Sequence, residues 1–255
     1  MLITERHEEI VNLINKHGFI SSKEIMKHIF VSSATLRRDL TILEKKGLIQ
    51  RIRGGAMKIE SKFDELSVLV REQTLVNEKK RMAESCVSFI QEGMSIFFDS
   101  STSVSFLMPL LTSYKNISVV TNGITNALLC SSLNSFHTHL ACGLVSTKTN
   151  STIGSNSVSY LNSFNSDLFI FSCTGFSLKG GVTEANFEQS SSKQQMLKNS
   201  KTHILLVNST KFGKIYMTKM CDLADLDVVI TDNTPPQEYI DAFKEHNIKL
   251  IVASK

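Results

Sequence analysis

The sequence predicts an α/β chain in which a small helical module with a β-hairpin precedes a larger α/β domain with a mostly parallel sheet. Two observations predict this division. Apolar residues recur at helical spacing through residues 1–57, whereas strand-like apolar runs alternate with helical segments from Asn77 onward. Residues 1–60 hold 11 Lys and Arg against 7 Asp and Glu, and the remaining residues hold 17 of each. We therefore expect domains at 1–57 and 77–255, joined by a linker over 58–76.

Three helices and two short strands are expected in the first domain. Capping and terminating residues place the helices over Glu5–Lys16 before Gly18, from the capping box Ser21–Glu24, and from Ser32 or Ser33 to Gly47. Apolar residues on one face of each helix form the expected core: Ile10, Leu13, Ile14, Ile25, Ile29, Leu36, Leu40 and Leu43. The stretch LIQRIRGGAMKI then predicts two strands around Gly54-Gly55. This order of elements is typical of a winged helix-turn-helix.

The third helix carries a basic face opposite its leucines. That face comprises Ala34, Thr35, Arg37, Arg38, Thr41 and Lys45. The small residues Ser33 and Ala34 at the start of the helix would allow it to approach a DNA groove closely. The two arginines can make paired hydrogen bonds to guanine or to phosphate. Arg51 and Arg53 on the hairpin would contact the neighbouring DNA backbone. The alternative from pattern alone is a small helical bundle with a solvated basic face.

The stretch SSATLRRDLTILEKKGLIQRIRGGAM resembles the DNA-binding signature of DeoR-type bacterial transcriptional repressors. The matching positions are Val31-Ser32, Thr35–Leu40, Leu43-Glu44, Gly47, Arg51 or Arg53, and Gly54-Gly55-Ala56. The resemblance implies double-stranded operator DNA as a partner. It also implies DNA contacts from Ser32, Ser33, Ala34, Thr35, Arg37, Arg38, Thr41, Lys45, Arg51 and Arg53.

The second domain is expected to be built around a buried parallel sheet, because its strands are continuously apolar and alternate with helices. A helix through Met82, Ala83, Val87 and Ile90 is expected to run to Gly93. Strands are expected at SIFFD, ISVVT, FHTHLAC, DLFIFSC, HILLVNS, DVVIT and KLIVA, with helices at ITNALLCSSL and SSSKQQMLKNS.

Two of these strands end in residues suited to binding a phosphate. In FFDSSTSVSFL an acid and four hydroxyl residues lie between a strand and a helix, and in LLVNSTKFGK a lysine follows Ser209-Thr210. Ligands of open α/β sheets bind beyond the carboxyl ends of the strands, where helix N–H groups attract anions. The alternative is that these Ser and Thr residues only cap helices.

The resemblance to DeoR-type proteins extends over the second domain and implies an effector domain with the fold of sugar-phosphate isomerases. It implies effector contacts from Asp99, Ser100, Ser101, Thr102, Ser103, Lys179, Gly180, Gly181, Glu188 and Lys211, with Lys193 as a further candidate. Three positions depart from the family pattern. Ser101 replaces a glycine, Asn208 replaces an aspartate, and Cys142-Gly143 replaces a glycine pair.

The resemblance implies a cytoplasmic repressor of a sugar-utilisation operon, controlled by a phosphorylated sugar and acting as a homodimer or homotetramer. No membrane span, signal peptide, metal site or cofactor is expected, and the five scattered cysteines are expected to be reduced. Two alternatives stay open: a DNA-binding protein that ignores metabolites, and an isomerase-like enzyme. The stretch SCTGF carries no carboxylate for the second, which leaves Glu188 and Lys211 as its candidate groups. The sugar, the operator sequence and the sign of the response are not predicted.

Overall fold

The computed structural model describes residues 3–45, 48–58, 68–133 and 136–253. The chain forms two compact units, Met1–Thr74 and Leu75–Lys255. Of the predicted linker over 58–76, residues 59–67 lie outside the described residues, as does Gly47. The C-terminal part of that linker contains a short helix. None of the described helices has the length and apolar content that a bilayer crossing requires.

The first unit contains the predicted helices and hairpin, together with one strand that the sequence did not predict. Its elements are α1 Ile3–His17, β1 Phe19–Ser21, α2 Ser22–Ile29, α3 Ser33–Lys45, β2 Ile49–Ile52, β3 Gly55–Lys58 and α4 Val68–Gln73. The predicted capping box at the start of α2 is present, because Ser21 Oγ accepts from the Glu24 amide and the Glu24 carboxylate accepts from the Ser21 amide.

The additional strand β1 pairs antiparallel with β3, so the sheet of this unit has the order β1-β3-β2. Gly55 makes the pairing possible, since a Cβ there would lie 2.3 Å from the Ile20 carbonyl oxygen. A three-residue strand carries too little alternation to be recognised from its own sequence. Its partner lies more than thirty residues away.

A buried ion pair locks α3 to α1. Asp39 is 3% exposed among the leucines of α3. Its carboxylate accepts from Arg6 Nε at 2.7 Å and Nη2 at 3.0 Å, and it lies 3.0 Å from His7 Nε2. Burial acts to raise the pKa of Asp39, but the hydrogen bonds from Arg6 and His7 outweigh it and hold the pKa below the ordinary aspartate value. The carboxylate therefore stays charged and fixes the rotation of α3 against α1.

The second unit is built around a seven-stranded parallel sheet, and it also contains one three-stranded and one two-stranded antiparallel sheet. Its elements are α5 Val76–Cys86, β4 Ser95–Phe98, α6 Thr102–Ser105, β5 Ile117–Thr121, α7 Ile124–Ser131, β6 Phe136–Leu140, β7 Leu144–Ser146, β8 Ser151–Ile153, α8 Ser155–Leu161, β9 Ser166–Phe171, β10 Gly175–Ser177, β11 Gly181–Glu184, α9 Phe187–Lys198, β12 Ser200–Leu206, β13 Thr218–Cys221, β14 Val228–Thr231, α10 Gln237–Glu245 and β15 Lys249–Val252. Every predicted strand is present. The helix predicted to run to Gly93 ends instead at Cys86 and continues as a 3-10 turn over Val87–Phe89.

The sheet order is β15-β14-β12-β9-β4-β5-β6, and all six pairings are parallel. The chain leaves β4 towards one edge through β5 and β6, and it returns through β9 towards the other edge. The direction of winding therefore reverses between β4 and β9, which lie side by side. Such a switch point opens a crevice at the carboxyl ends of the two strands, where α/β sheets bind ligands.

We expect Asp39→Asn to destabilise the first unit by about 2 kcal/mol, because two charge-assisted hydrogen bonds from Arg6 to a buried carboxylate are weakened. Hydrogen–deuterium exchange of peptides from α1 and α3 measures this loss. The wild-type contribution is present above the unfolded-state pKa of Asp39 and is lost as pH falls through its lower folded-state value. The variant should lack this acid dependence.

The matched control is Glu9→Gln, which removes a carboxylate from an exposed position of α1. Equal exchange rates in Asp39→Asn and Glu9→Gln would contradict a locking role for Asp39.

Candidate nucleic-acid interface and effector site

The predicted DNA-contacting face of α3 is accessible. Ser33, Ala34, Arg37, Arg38 and Lys45 are all exposed, and the leucines of the same helix are buried against α1 and α2. Ser32 acts as the helix cap, because its Oγ accepts from the Thr35 amide at 3.2 Å and lies 2.9 Å from Thr35 Oγ1. The basic side chains thus project from a rigid helix whose start is free of bulky groups.

The two wing arginines differ in their surroundings. Arg53 is exposed at the turn between β2 and β3. Arg51 is directed back towards α3: its Nη1 donates to Thr41 Oγ1 at 2.6 Å, and its backbone amide donates to the Glu44 carboxylate at 3.0 Å. Thr41 Oγ1 in turn donates to the Arg37 carbonyl. Of the predicted contacts, Thr41 and Arg51 therefore also connect the wing to the helix.

At the switch point, the loop after β4 is organised by the buried carboxylate of Asp99. One oxygen accepts from the Ser101 amide at 2.9 Å, and the other accepts from the Ser172 amide at 3.0 Å. Ser172 directly follows β9, so Asp99 joins the ends of the two strands between which the winding reverses. Asn126 on α7 donates to the Asp99 carbonyl at 2.6 Å.

A buried lysine completes this cluster. Lys193 on α9 is 4% exposed, and its Nζ lies 3.0 Å from Asp99 Oδ2, 2.6 Å from Glu184 Oε1 and 2.7 Å from the Ser172 carbonyl oxygen. Thr174 Oγ1 donates to the second oxygen of Glu184. Burial acts to lower the pKa of Lys193, but the two carboxylates outweigh it and raise the pKa above its ordinary value. The ammonium group is therefore permanently charged.

Two further lysines reach the carboxyl ends of the same strands. Lys211 Nζ donates to Ser172 Oγ at 2.9 Å, and the buried Lys79 donates to Thr102 Oγ1 at 3.0 Å. Ser100 Oγ donates to Gln189 on α9, whose amide nitrogen donates to Ser151 Oγ at 2.6 Å. Strand ends, α9 and the β7–β8 hairpin are thus connected by hydrogen bonds.

Ser101 and Asn208, two of the departures from the family pattern, do not distort the backbone at these strand ends. Ser101 has φ −75° and ψ 146°, which any residue adopts, and its Oγ caps α6 by accepting from the Val104 amide. Asn208 keeps an acceptor where the family has an aspartate, since its Oδ1 accepts from the amide and the hydroxyl of Thr210. Both replacements change the charge or the bulk of the loop and leave its backbone conformation regular.

The predicted effector residues do not all meet. The segment from Asp99 to Ser103 and Lys211 come together at the switch point. Lys179 and Gly180 belong to the turn between β10 and β11, where Lys179 is exposed. Gly181 has a structural role there, because its φ is +68° and a Cβ would lie 2.3 Å from the Cys221 carbonyl oxygen. Glu188 is exposed on the outer face of α9, and it lines a cleft with α8.

The sequence interpretation missed the carboxylate that does join the cluster, Glu184, and it named Lys193 only as a further candidate. It also missed Lys79, Ser172 and Gln189. A usable signal existed for α9, since Gln189 and Lys193 are four residues apart and must lie on one helical face. Glu188 then falls on a different face.

Comparisons with known proteins agree over the whole chain. Residues 6–62 match the DeoR-like helix-turn-helix domain, and residues 74–233 match the DeoR C terminal sensor domain. The glycerol-3-phosphate regulon repressor of Escherichia coli (strain K12) is 29% identical, over 97% of this chain and 98% of its own length. The lactose phosphotransferase system repressor of Staphylococcus epidermidis (strain ATCC 12228 / FDA PCI 1200) is 30% identical, over 94% of this chain and 97% of its own length.

Among solved structures, ribose 5 phosphate isomerase A from Neisseria gonorrhoeae covers 52% of this chain and 52% of its own, with a TM-score of 0.36 and 14% identity. The helix-turn-helix match covers most of the first compact unit, and the sensor match covers most of the second. The chain belongs to the DeoR family of transcriptional regulators.

Proposed function

We propose that this protein is a sequence-specific repressor of a sugar-utilisation operon. We also propose that a phosphorylated sugar bound at the switch point lowers its affinity for operator DNA. The observation that supports this most directly is that each unit carries one basic feature. The first unit has an exposed basic helix, and the second has several lysines at the carboxyl ends of its strands. The relatives named above as repressors of glycerol-3-phosphate and lactose phosphotransferase genes support the same reading.

In the DNA-binding step, α3 enters the major groove. Its small N-terminal residues allow close approach, Arg37 and Arg38 contact bases and phosphates, and Arg53 contacts the neighbouring backbone. Arg51 and Thr41 keep the wing at a fixed position beside the helix through their mutual hydrogen bond. The remaining predicted contacts, from Ser32, Ser33, Ala34, Thr35 and Lys45, are assigned to positioning on the DNA backbone.

In the effector-binding step, the phosphate group binds beside the loop that follows β4. Three lysines, Lys79, Lys193 and Lys211, bring their ammonium groups to the ends of these strands, where an anion is attracted. The N–H groups of Thr102 and Ser103 lie in the first turn of α6, where a helix offers them no internal acceptor. A dianionic phosphate satisfies both features. We place Glu188, Lys179 and Gly180 outside the phosphate site.

We also propose that the protein acts as a homo-oligomer inside the cell. Two helix-turn-helix units are needed to occupy successive half-sites of a symmetric operator. A sugar phosphate then changes affinity by altering how the two copies present their recognition helices.

An enzymatic role is less well supported by the geometry. Sugar-phosphate isomerisation needs a carboxylate free to accept a proton from carbon. Glu184 is engaged by the Lys193 ammonium and by the Thr174 hydroxyl, so both of its oxygens already have partners. The strand end Ser172–Gly175 carries no acid.

Arg38→Ala should weaken operator binding by about 2 kcal/mol if Arg38 makes a paired base contact, whereas binding to unrelated DNA should fall less. Fluorescence anisotropy on operator and scrambled duplexes measures both values. Lys16→Ala, which removes a charge from an exposed position of α1, is the matched control. An Arg38→Ala operator affinity equal to that of the control would show that α3 is oriented differently.

Lys211→Ala should leave operator affinity in the absence of effector near the wild-type value and abolish most of the response to it. The reason is that the substitution removes a cation from a dianion without touching the DNA-binding unit. Calorimetric titration with a panel of sugar phosphates, each compared with its unphosphorylated sugar, measures the binding. Lys244→Ala on the exposed surface of α10 is the control. Unchanged affinity in Lys211→Ala would remove Lys211 from the site.

The purified protein should not interconvert ribose 5-phosphate and ribulose 5-phosphate above an enzyme-free blank. A coupled spectrophotometric assay gives the rate. Turnover that disappears in Glu184→Gln, with folding unchanged by circular dichroism, would establish catalysis at the Lys193 cluster and overturn the assignment as a regulator alone.

A further inference from the structure

The outer face of α9 borders an open cleft that the effector site does not use. The cleft lies between α8 and α9 and has a volume of about 630 Å³. Small polar side chains are among its lining residues, including Ser155, Ser159 and Ser191. Backbones can approach one another closely where the side chains are this small.

The α9 side of this cleft carries an acid and a base at equal distances from the middle of the helix face. Four residues on one stripe line it: Glu188, Ser191, Gln195 and Lys198. The acid and the base at the two ends are roughly 15 Å apart at helical rise. Glu188 and Lys198 are each five residues from position 193, and Ser191 and Gln195 are each two residues from it. An antiparallel copy of the same stripe, rotated about an axis at that level, therefore places an acid opposite a base at both ends.

An exposed aromatic side chain lies at one end of the stripe. Phe187 is 66% exposed and lines the same cleft. Under the same two-fold rotation, it meets the end of the partner's cleft, where the aliphatic stem of the partner's Lys198 lies. Burial against that stem would cover much of the apolar surface that Phe187 otherwise exposes to water.

We propose that the α8–α9 cleft is a two-fold interface between copies of this chain, with α9 packed antiparallel on the partner's α9. We take the occupant to be a second copy because a two-fold rotation brings Glu188 of each copy opposite the partner's Lys198, which is the self-complementarity that an isologous contact requires. The inference rests on the proposed homo-oligomer and names the surface that forms it.

This interface would lie directly behind the effector site. The inner face of α9 carries Gln189 and Lys193, which contact Ser100 and Asp99, while the outer face carries the stripe. A single helix thus has one side on the proposed effector and the other on the partner subunit. A ligand that shifts the loop after β4 acts on the pairing of the two copies through this helix.

Charge reversal on the full-length chain tests the proposal by sedimentation velocity over a concentration series. Glu188→Lys and Lys198→Glu should each raise the dimer dissociation constant at least roughly tenfold, because each places like charges opposite one another twice. An equimolar mixture of the two variants should associate again, since the mixed pair restores both acid–base contacts. Lys244→Glu, an exposed reversal on α10, is the control and should leave the constant unchanged.

The mixing experiment separates the interface from general loss of folding, because unfolded variants would not recover on mixing. Single variants that keep the wild-type constant, or a mixture that stays as dissociated as its components, would overturn the interface and leave the effector site untouched. A wild-type chain that stays monomeric in the absence and presence of operator DNA would overturn both the interface and the proposed homo-oligomer. An apparent mass that rises only with another protein present would assign the cleft to that partner instead.

Discussion

The second unit depends on one buried ammonium group. Lys193 holds the carboxylates of Asp99 and Glu184 and the carbonyl of Ser172, which come from three separate parts of the chain. Removing the lysine would take the ammonium group away from two buried carboxylates, which typically costs several kcal/mol. The ion pairs therefore fix α9 against the ends of β4 and β9.

This constraint decides which groups can respond to a ligand. Lys193 cannot turn towards a phosphate without abandoning both carboxylates, so its role is to set the geometry of the loop. Lys211 is only half-buried, and the Ser172 hydroxyl to which it donates is a neutral acceptor. A phosphate bound beside Lys211 would offer it a charge-assisted contact, which is stronger than a hydrogen bond to a neutral hydroxyl.

Hydrophobic periodicity was enough to predict most of the fold, because helices and buried strands carry their pattern locally. It failed for β1, whose pairing depends on the distant Gly55. Within the proposed site, the residue pattern located the loop after β4, and the resemblance implied Glu188, whereas the carboxylate that contacts Lys193 is that of Glu184. Whether Glu188 faces the cluster depends on the rotation of α9, which the buried Lys193 sets. The burial of Asp39 could also have been predicted, since Asp39 shares the helical face of Leu36 and Leu43.

Linkage between the two units gives the proposed regulation a strict condition. An effector that lowers DNA affinity must itself bind more weakly to the DNA-bound protein, by the same factor. A rigid cluster around Lys193 transmits such coupling only if a structural element attached to the cluster can adopt two conformations. Within the described residues, α9 is attached to the cluster through Gln189 and Lys193 and carries the exposed stripe on its other face. In the proposed regulation, a small movement of α9 together with this cluster would change effector contacts and subunit pairing at once. Reciprocity between sugar phosphate and operator would follow from that shared movement.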